Sequence, residues 1–208
     1  MSAAALLDHA AVFVFALTGA LAASRAQLDI VGFAFLALLT AVGGGTVRDL
    51  LIGREIFWIA RPSYLGLGML AALGTFFGAH LLESRLAALY WLDAAALAAA
   101  VAAGTGVALG AGQVWPVVLV MGVATGTFGG LMRDVVVGEV PLVLKKGEIY
   151  ASAALAGASV SVVLAQLLPL ATALVAGAAA TFALRAGSIA LGWRLPVYRA
   201  RPPRPRHR

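Results

Sequence analysis

The chain has no cysteine and very few charged residues. None of its 208 residues is cysteine and only 12% are charged, whereas roughly a quarter of the residues of a soluble domain are charged. The missing cysteines exclude a disulfide framework and a thiolate metal site. The chain is instead rich in hydrophobic residues (62%) and has 24 glycines. This composition predicts an all-α integral membrane protein, with room for about seven spans of about 20 residues each.

Enzyme signatures are also lacking. The histidines, His9, His80 and His207, are scattered, and none has a second histidine at metal-ligand spacing. The glycine-rich run at residues 43–46 lacks the downstream lysine and the strand context of a phosphate-binding loop. We therefore expect a protein that is not an enzyme, with no catalytic residue, no cofactor and no resident metal.

The excess positive charge is confined to the C-terminus. The formal net charge is +6, but residues 1–193 carry nine basic and nine acidic side chains and are neutral. The excess is therefore the six arginines of residues 194–208. Because basic segments beside membrane spans face the cytoplasm, we expect a cytoplasmic, disordered tail and an external N-terminus. We expect contact of this tail with membrane lipids and no binding to nucleic acid.

Apolar runs interrupted by charges, prolines and turn residues define the expected spans. They lie near residues 9–24, 29–53, 62–82, 91–109, 114–138, 148–168 and 170–192. Together they make residues 1–193 a single transmembrane domain. The first seven residues lack the basic region of a signal peptide, and we interpret them as the start of a retained first span.

An internal repeat appears when the chain is shifted against itself by 85 positions. Gly44-Gly45 then falls on Gly129-Gly130, and Arg48-Asp49 falls on Arg133-Asp134. The first repeat covers about residues 5–84 and the second about 90–169, which leaves a seventh helix at about 170–192. Since each repeat holds three spans, the second enters the membrane from the opposite side. This inverted-repeat plan is common among transport proteins.

Glycine clusters lie in the second and fifth spans. Glycine costs about 1 kcal/mol relative to alanine inside a helix, so the clusters are expected to weaken or kink both helices. Carbonyl groups freed in this way and threonine hydroxyls beside water are suitable ligands for a monovalent cation. The expected pathway residues are Gly43, Gly44, Gly45, Thr46, Asp49, Thr125, Gly126, Thr127, Gly129, Gly130 and Asp134.

Close helix packing is the alternative explanation of the glycines, because small residues let transmembrane backbones approach. For the two clusters, a pathway and close packing are compatible. For the scattered glycines, packing is the expected role. These are Gly66, Gly68, Gly74, Gly78, Gly104 and Gly106.

Charged residues follow each glycine cluster within a turn of the span end. The predicted topology brings Asp8 to Arg48 at one face and Asp93 to Arg133 at the other, which predicts two symmetric ion pairs. Asp49 and Asp134 would then be free to present negative charge at two mouths. The alternative for the arginines is snorkelling into the headgroups.

Three further basic residues have open roles. Arg185 lies within the seventh span, where snorkelling and pairing with a carboxylate of another span are both compatible with the sequence. Lys145 and Lys146 lie in a predicted cytoplasmic link. They are candidates for contact with anionic lipid headgroups, or simply mark the inner face of the membrane.

Two three-span units, each with a glycine cluster followed by Arg-Asp and then glycine, resemble one known family. The pattern is similar to the prokaryotic trimeric intracellular cation (TRIC) channels, which overlap the bacterial glycine-transporter-like (UPF0126) membrane family. The likeness covers about residues 5–192, with residues 43–53 and 129–138 as its most specific parts. Phe128 departs from it, since it stands where the first repeat has Gly43.

The resemblance implies a homotrimer in a prokaryotic plasma membrane, with a pore for potassium and, less selectively, sodium in each subunit. The second and fifth helices would line this pore, with the glycine clusters at its narrow part. A small-solute secondary transporter, for glycine as an example, is the alternative with the same repeat plan. A non-conducting membrane scaffold is a third class, in which the glycines serve packing alone.

Overall fold

The protein is all-helical over the part of the chain that the structure describes. The computed structural model describes residues 3–82 and 84–198, and no strand occurs within them. The helices are α1 (Ala3–Arg25), α2 (Ile30–Ile52), α3 (Phe57–Ala60), α4 (Ser63–Gly78), α5 (Arg85–Gly110), α6 (Trp115–Val136), α7 (Ala151–Leu164) and α8 (Leu170–Leu191). Short 3-10 turns lie at Ala79–Leu81 and Leu142–Leu144.

Local capping residues set several helix ends. The carboxylate of Asp29 accepts a hydrogen bond from the Gly32 amide at 2.8 Å and caps the start of α2. Gly53 ends the same helix with φ 72°, and Gly138 takes φ 72° just after α6. Glycine adopts such left-handed conformations without a steric penalty. The two glycines are 85 positions apart, so the repeat includes the helix terminators.

The helices form two triplets and one additional helix. α1 packs against α2 and α4, and α5 packs against α6 and α7, while α1–α5 and α2–α6 contacts join the triplets. α8 lies on α5 and α7. The α7–α8 contact is close because a Cβ on Gly177 of α8 would overlap the Ser161 hydroxyl of α7. Small residues therefore set the spacing at this contact.

Each of the seven predicted apolar segments contains a helix. Among the residues that the structure describes, five helical segments are long and apolar enough to cross a membrane, namely α2, Ser63–Leu81, α5, α6 and α8. α1 has 23 residues, whereas α7 has only 14 residues. At 1.5 Å per residue, α7 is about 21 Å long, shorter than a hydrocarbon core of about 30 Å. The predicted run at 148–168 is thus longer than the helix it contains.

Contacts between loops gather several basic residues at one end of the bundle. Arg25 forms an ion pair with Glu139 at 2.9 Å, and Arg85 donates to the Ser24 hydroxyl at 2.9 Å. The Leu195 amide donates to the Gly147 carbonyl at 2.9 Å, which places the start of the tail beside the link that carries the two lysines. Of the tail expected to be disordered, residues 194–198 are described, and residues 199–208 lie outside the described residues.

Candidate functional site

A buried charge network lies near the C-terminal end of α2. Arg48 is 1% exposed, and its Nη1 donates to Asp8 Oδ1 of α1 at 3.1 Å. Its Nε donates to Asp49 Oδ1 at 2.8 Å. The second oxygen of Asp49 accepts the backbone N–H of Phe57 at 2.9 Å. One guanidinium and two carboxylates therefore join α1, α2 and the start of α3.

The same network recurs 85 positions later, near the end of α6. Arg133 Nη1 donates to Asp93 Oδ1 at 2.8 Å, and its Nε donates to Asp134 Oδ1 at 2.8 Å. Asp134 Oδ2 accepts the N–H of Leu142 at 2.9 Å. Each of these three hydrogen bonds has its counterpart in the first network, including the one from a backbone amide. The predicted pairs Asp8–Arg48 and Asp93–Arg133 are confirmed as contacts.

The expectation that Asp49 and Asp134 are free is wrong. Asp49 is 2% exposed and Asp134 is 5% exposed, and each accepts from the arginine before it and from a backbone amide. The physical reason is that a guanidinium has five N–H donors in a fixed fork and can serve two carboxylates on different edges. Each network holds two carboxylates for one guanidinium, which leaves one formal negative charge.

The two networks differ in their access to water. The Asp8 side chain is 14% exposed, and a cavity of about 810 Å³ is lined by Asp8, Arg48 and Asp49 together with the exposed Arg54, Glu55 and Arg61. In the second network, the side chains of Arg133 and Asp93 are both 0% exposed. The cavity therefore reaches the first network, while the second is dry.

The second network has additional partners that close it. Arg133 Nη1 also donates to the Thr18 hydroxyl of α1 at 2.9 Å. The Tyr150 side chain, 1% exposed, has its hydroxyl near the position that a Cβ on Gly130 would take, beside Asp93 and Arg133. Three buried atoms here have no hydrogen-bond partner among the described residues, namely Asp93 Oδ2, Arg133 Nη2 and the Tyr150 hydroxyl.

Between the networks, α2 and α6 cross in backbone contact. A Cβ on Gly44 would come closer than 3.0 Å to the carbonyl oxygen of Thr125, and a Cβ on Gly129 would do the same to that of Thr40. These two contacts are related by the 85-residue shift. Close packing is therefore one role of the clusters, as the alternative explanation expects.

A small void marks this crossing. It measures about 10 Å³, and its lining includes Asp8, Thr40, Gly44, Gly45 and Thr125. Such a volume has room for about one water molecule. The free space between α2 and α6 at their crossing is thus very small.

The expected kinks do not interrupt either helix. α2 and α6 are continuous α-helices through both clusters. The threonine hydroxyls bond within their own helices, since Thr125 Oγ1 donates to the Met121 carbonyl at 2.6 Å and Thr46 Oγ1 donates to the Val42 carbonyl at 2.7 Å. Neighbouring helices support the glycine-rich stretches, so no carbonyl is released by a break in the helix.

The structure brings only part of the predicted pathway set to the crossing. Gly43 faces Met132 of α6, while Gly45 faces the ring of Phe57. The Thr46 hydroxyl accepts from the Trp58 indole at 2.8 Å. Three other members point elsewhere: Gly126 faces α5, Gly130 faces Tyr150, and Thr127 lines a separate apolar groove between α6 and α7.

Thr40 is a residue of the crossing that the predicted set omits. It is 0% exposed and lines the small void. The sequence carried a signal for it, because Thr40 aligns with Thr125 at the 85-residue shift. Thr18 and Tyr150 had no comparable signal, since each acts on the second network from a distant part of the chain.

The scattered glycines have mixed roles. A Cβ on Gly104 would overlap Thr125, and one on Gly68 would overlap Leu38, so both pack closely. Gly66, Gly74 and Gly78 have nothing within 4 Å of that position, and packing within the chain does not explain them. Gly106 lines the large cavity.

Arg185 and Lys145 have specific partners. Arg185 is 1% exposed, pairs with Glu148 and lies 5.2 Å from the ring centroid of Tyr150, so it pairs and does not snorkel. Lys145 Nζ donates to the Tyr90 hydroxyl at 3.0 Å, whereas Lys146 is exposed. Within the described ranges, no three His, Cys, Asp or Glu side chains gather in a way that could hold a metal ion.

Comparisons with known proteins give a consistent result. A family model described as Glycine transporter matches residues 5–80 and 90–166. The UPF0126 membrane protein of Vibrio cholerae is 36% identical over 200 residues, which are 93% of this chain and 82% of that protein. The UPF0126 inner membrane protein YadS of Escherichia coli is 34% identical, over 92% of this chain and 94% of that protein.

A solved structure shares the fold. The TRIC trimeric intracellular cation channel orthologue from Rhodobacter sphaeroides is 44% identical and superposes with a TM-score of 0.89, over 92% of this chain and 100% of that one. The relatives are named as membrane proteins, in agreement with the five long apolar helices. The chain is thus a multi-pass membrane protein and belongs to the TRIC/UPF0126 family.

Proposed function

We propose that the protein is a passive, potassium-permeable channel for monovalent cations, with a pore inside each subunit between α2 and α6. The observation that carries this proposal is the pair of buried networks at opposite ends of the α2–α6 crossing, each with one excess carboxylate. Fixed negative charge in a low-dielectric wall raises the local concentration of cations. The 44% identity to a protein named as a cation channel supports it.

The proposed pathway starts in the 810 Å³ cavity. It continues past Asp8 into the small void bounded by Thr40, Gly44 and Thr125. The hydroxyl oxygens of Thr40 and Thr125, which donate their protons within their own helices and keep lone pairs, would replace part of the hydration shell of K+ or Na+. Because the void has room for about one water, conduction requires α2 and α6 to separate. The activity needs no cofactor beyond the permeant ion.

The proposed membrane arrangement has seven spans. Two inverted three-helix repeats, α1–α2–α4 and α5–α6–α7, would enclose the pathway, and α8 would return the chain to the side of the tail. The N-terminus would be external and the arginine-rich tail cytoplasmic. Recurrence of three hydrogen bonds of the first network in the second supports the repeat.

We place the protein in the plasma membrane as a homotrimer. The support is that the similar channels are named trimeric and that YadS is named an inner membrane protein. The partners in this proposal are two further copies and membrane lipids. Lys146, exposed beside the start of the tail, is the better placed of the two lysines for lipid contact, because Lys145 is held by Tyr90.

Flux measurements test the proposal. Purified protein in planar bilayers with a KCl gradient should give discrete currents whose reversal potential lies near that of K+. Vesicles with the same protein should show no saturable uptake of labelled glycine. Uptake of glycine without unitary currents would instead establish the small-solute transporter. Neither signal, from protein that assembles normally, would indicate a scaffold.

A further inference from the structure

Thr18 is a side chain of the first triplet that bonds to the charge network of the second. It lies in α1, is 0% exposed, and accepts a hydrogen bond from Arg133 Nη1 of α6 at 2.9 Å. The same nitrogen donates to Asp93 at 2.8 Å. Both protons on Arg133 Nη1 therefore have partners, one from each triplet.

The Thr18 hydroxyl is held in the orientation that this contact requires. Its own proton goes to the Phe15 carbonyl, at 2.8 Å. A hydroxyl has one proton and two lone pairs, so the lone pairs remain for Arg133. The hydroxyl thus acts toward the guanidinium only as an acceptor, which suits a cation.

The first network lacks this contact. The residue 85 positions after Thr18 is Ala103 of α5, which is 0% exposed. A methyl group cannot accept a hydrogen bond, so Arg48 has no equivalent third partner from the opposite triplet. The network without the threonine is the one beside the open cavity, and the network with it is dry.

We propose that Thr18 is a positioning residue that holds Arg133 in its closed, dehydrated arrangement, so that the difference between Thr18 and Ala103 determines which end of the pathway is shut. The inference rests on the proposed channel function. Opening of the second end then requires Arg133 to leave the Thr18 hydroxyl, while Asp93 and Asp134 can move with the guanidinium. Thr18 contributes no ligand to the permeant ion.

The first experiment compares Thr18→Val with Thr18→Ser in planar bilayers. Valine keeps the size of the side chain and removes the acceptor. The closed state then loses one hydrogen bond to a charged group, so the open probability should rise about tenfold. Unitary conductance and reversal potential should not change. Serine keeps the hydroxyl and should restore the wild-type open probability.

Thr105→Val is the matched control. Thr105 is also 0% exposed, and its hydroxyl donates only to the Val101 carbonyl of its own helix, at 2.8 Å. This variant loses a buried hydroxyl without touching an arginine. Its open probability should stay at the wild-type level. An equal rise in Thr105→Val and Thr18→Val would overturn the proposal, because the effect would then come from general loosening of the bundle.

Ala103→Thr tests the opposite direction. It adds a hydroxyl at the position related to Thr18, beside the end that is open. The open probability of Ala103→Thr should fall below that of the wild type. In the double variant with Thr18→Val, the open probability should stay below that of Thr18→Val alone. An unchanged open probability in Ala103→Thr would count against a shared role of the two positions. This arm remains informative if Thr18→Val does not fold.

Amide hydrogen exchange provides a readout that needs no current. The Leu142 amide donates to Asp134 in the dry network, so water entry should speed its exchange in Thr18→Val and leave Thr18→Ser and Thr105→Val unchanged. Faster exchange in protein that carries no current would refute the channel and keep the role of Thr18. Unchanged exchange together with wild-type currents would refute the role of Thr18 alone.

Discussion

Gly44→Ala tests the contact between α2 and α6. A Cβ on Gly44 would lie closer than 3.0 Å to the carbonyl oxygen of Thr125, and the nearest atom is backbone that no rotamer change can move. Ordinary contact requires about 3.5 Å, so the helices must separate by roughly 1 Å. Overpacking of this kind costs about 1–3 kcal/mol, from which the helix propensity of alanine recovers up to about 1 kcal/mol.

The expected result is a clear loss of thermal stability. For a chain of this length, 1 kcal/mol shifts the melting temperature by about 2–4 °C, so a net cost of up to about 2 kcal/mol means that Gly44→Ala should lower it by up to about 8 °C in detergent. Gly74→Ala is the control, because nothing lies within 4 Å of its Cβ position. That variant should keep or slightly raise the melting temperature. Fluorescence-detected size exclusion after heating measures both variants and reports assembly.

The paired contact sharpens this test. Gly129→Ala overlaps the Thr40 carbonyl in the same crossing, so one separation of the helices relieves both clashes. The double variant should therefore cost less than the sum of the single variants. Full additivity, or equal melting temperatures for Gly44→Ala and Gly74→Ala, would refute the reasoning. In bilayers, Gly44→Ala should change unitary currents more than it changes assembly, whereas equal loss of both would favour packing alone.

Three further outcomes concern the charges. Arg48→Asp should abolish assembly. Asp8→Arg in the same chain should restore assembly only partly, because Asp49 also needs the guanidinium. Size exclusion measures the assembly of both variants, and full rescue would contradict the three-residue network. Asp134→Asn leaves Arg133 paired with Asp93 but offers one acceptor oxygen to two donors, so it should destabilise the fold by about 1–3 kcal/mol, seen as a lower melting temperature. Arg185→Met should lower the melting temperature, whereas Arg54→Gln, at an exposed position, should not.

The positions of the helices and the two arginine pairs were predictable because their signals are local or repeated. Asp8 and Asp93 each stand 40 positions before an arginine, and the topology brings the members of each pair to the same face. Observation of both pairs, at 3.1 Å and 2.8 Å, confirms that inference. The repeat mattered most, since it supplied a second, independent instance of each contact.

The roles of Asp49 and Asp134 could not be predicted from residue types. Whether an arginine serves one carboxylate or two depends on which edges of the guanidinium face them, and adjacency in sequence does not determine this. Their second partners, the amides of Phe57 and Leu142, lie at the start of a four-residue helix and a three-residue 3-10 turn. Elements this short have no hydrophobic periodicity to reveal them.

The contact of Thr18 with Arg133 was hidden for a different reason. The residues are 115 positions apart, and the 85-residue shift relates equivalent positions without indicating how the triplets cross. The difference between Thr18 and Ala103 was also hidden, because a search for identical residues at this shift passes over a position where threonine is aligned with alanine. The informative residue at this site is Thr18, which differs from its equivalent in the second repeat.

The joining of the two triplets in one polypeptide has a consequence for symmetry. Two identical three-helix chains that assembled in opposite orientations would form two identical ends, and any substitution would alter both ends together. Covalent linkage removes that constraint, so each half can change independently. The alanine at 103 opposite the threonine at 18 is such an independent change. Substitutions of this kind, made in one half alone, can give the two ends of a symmetric plan different properties.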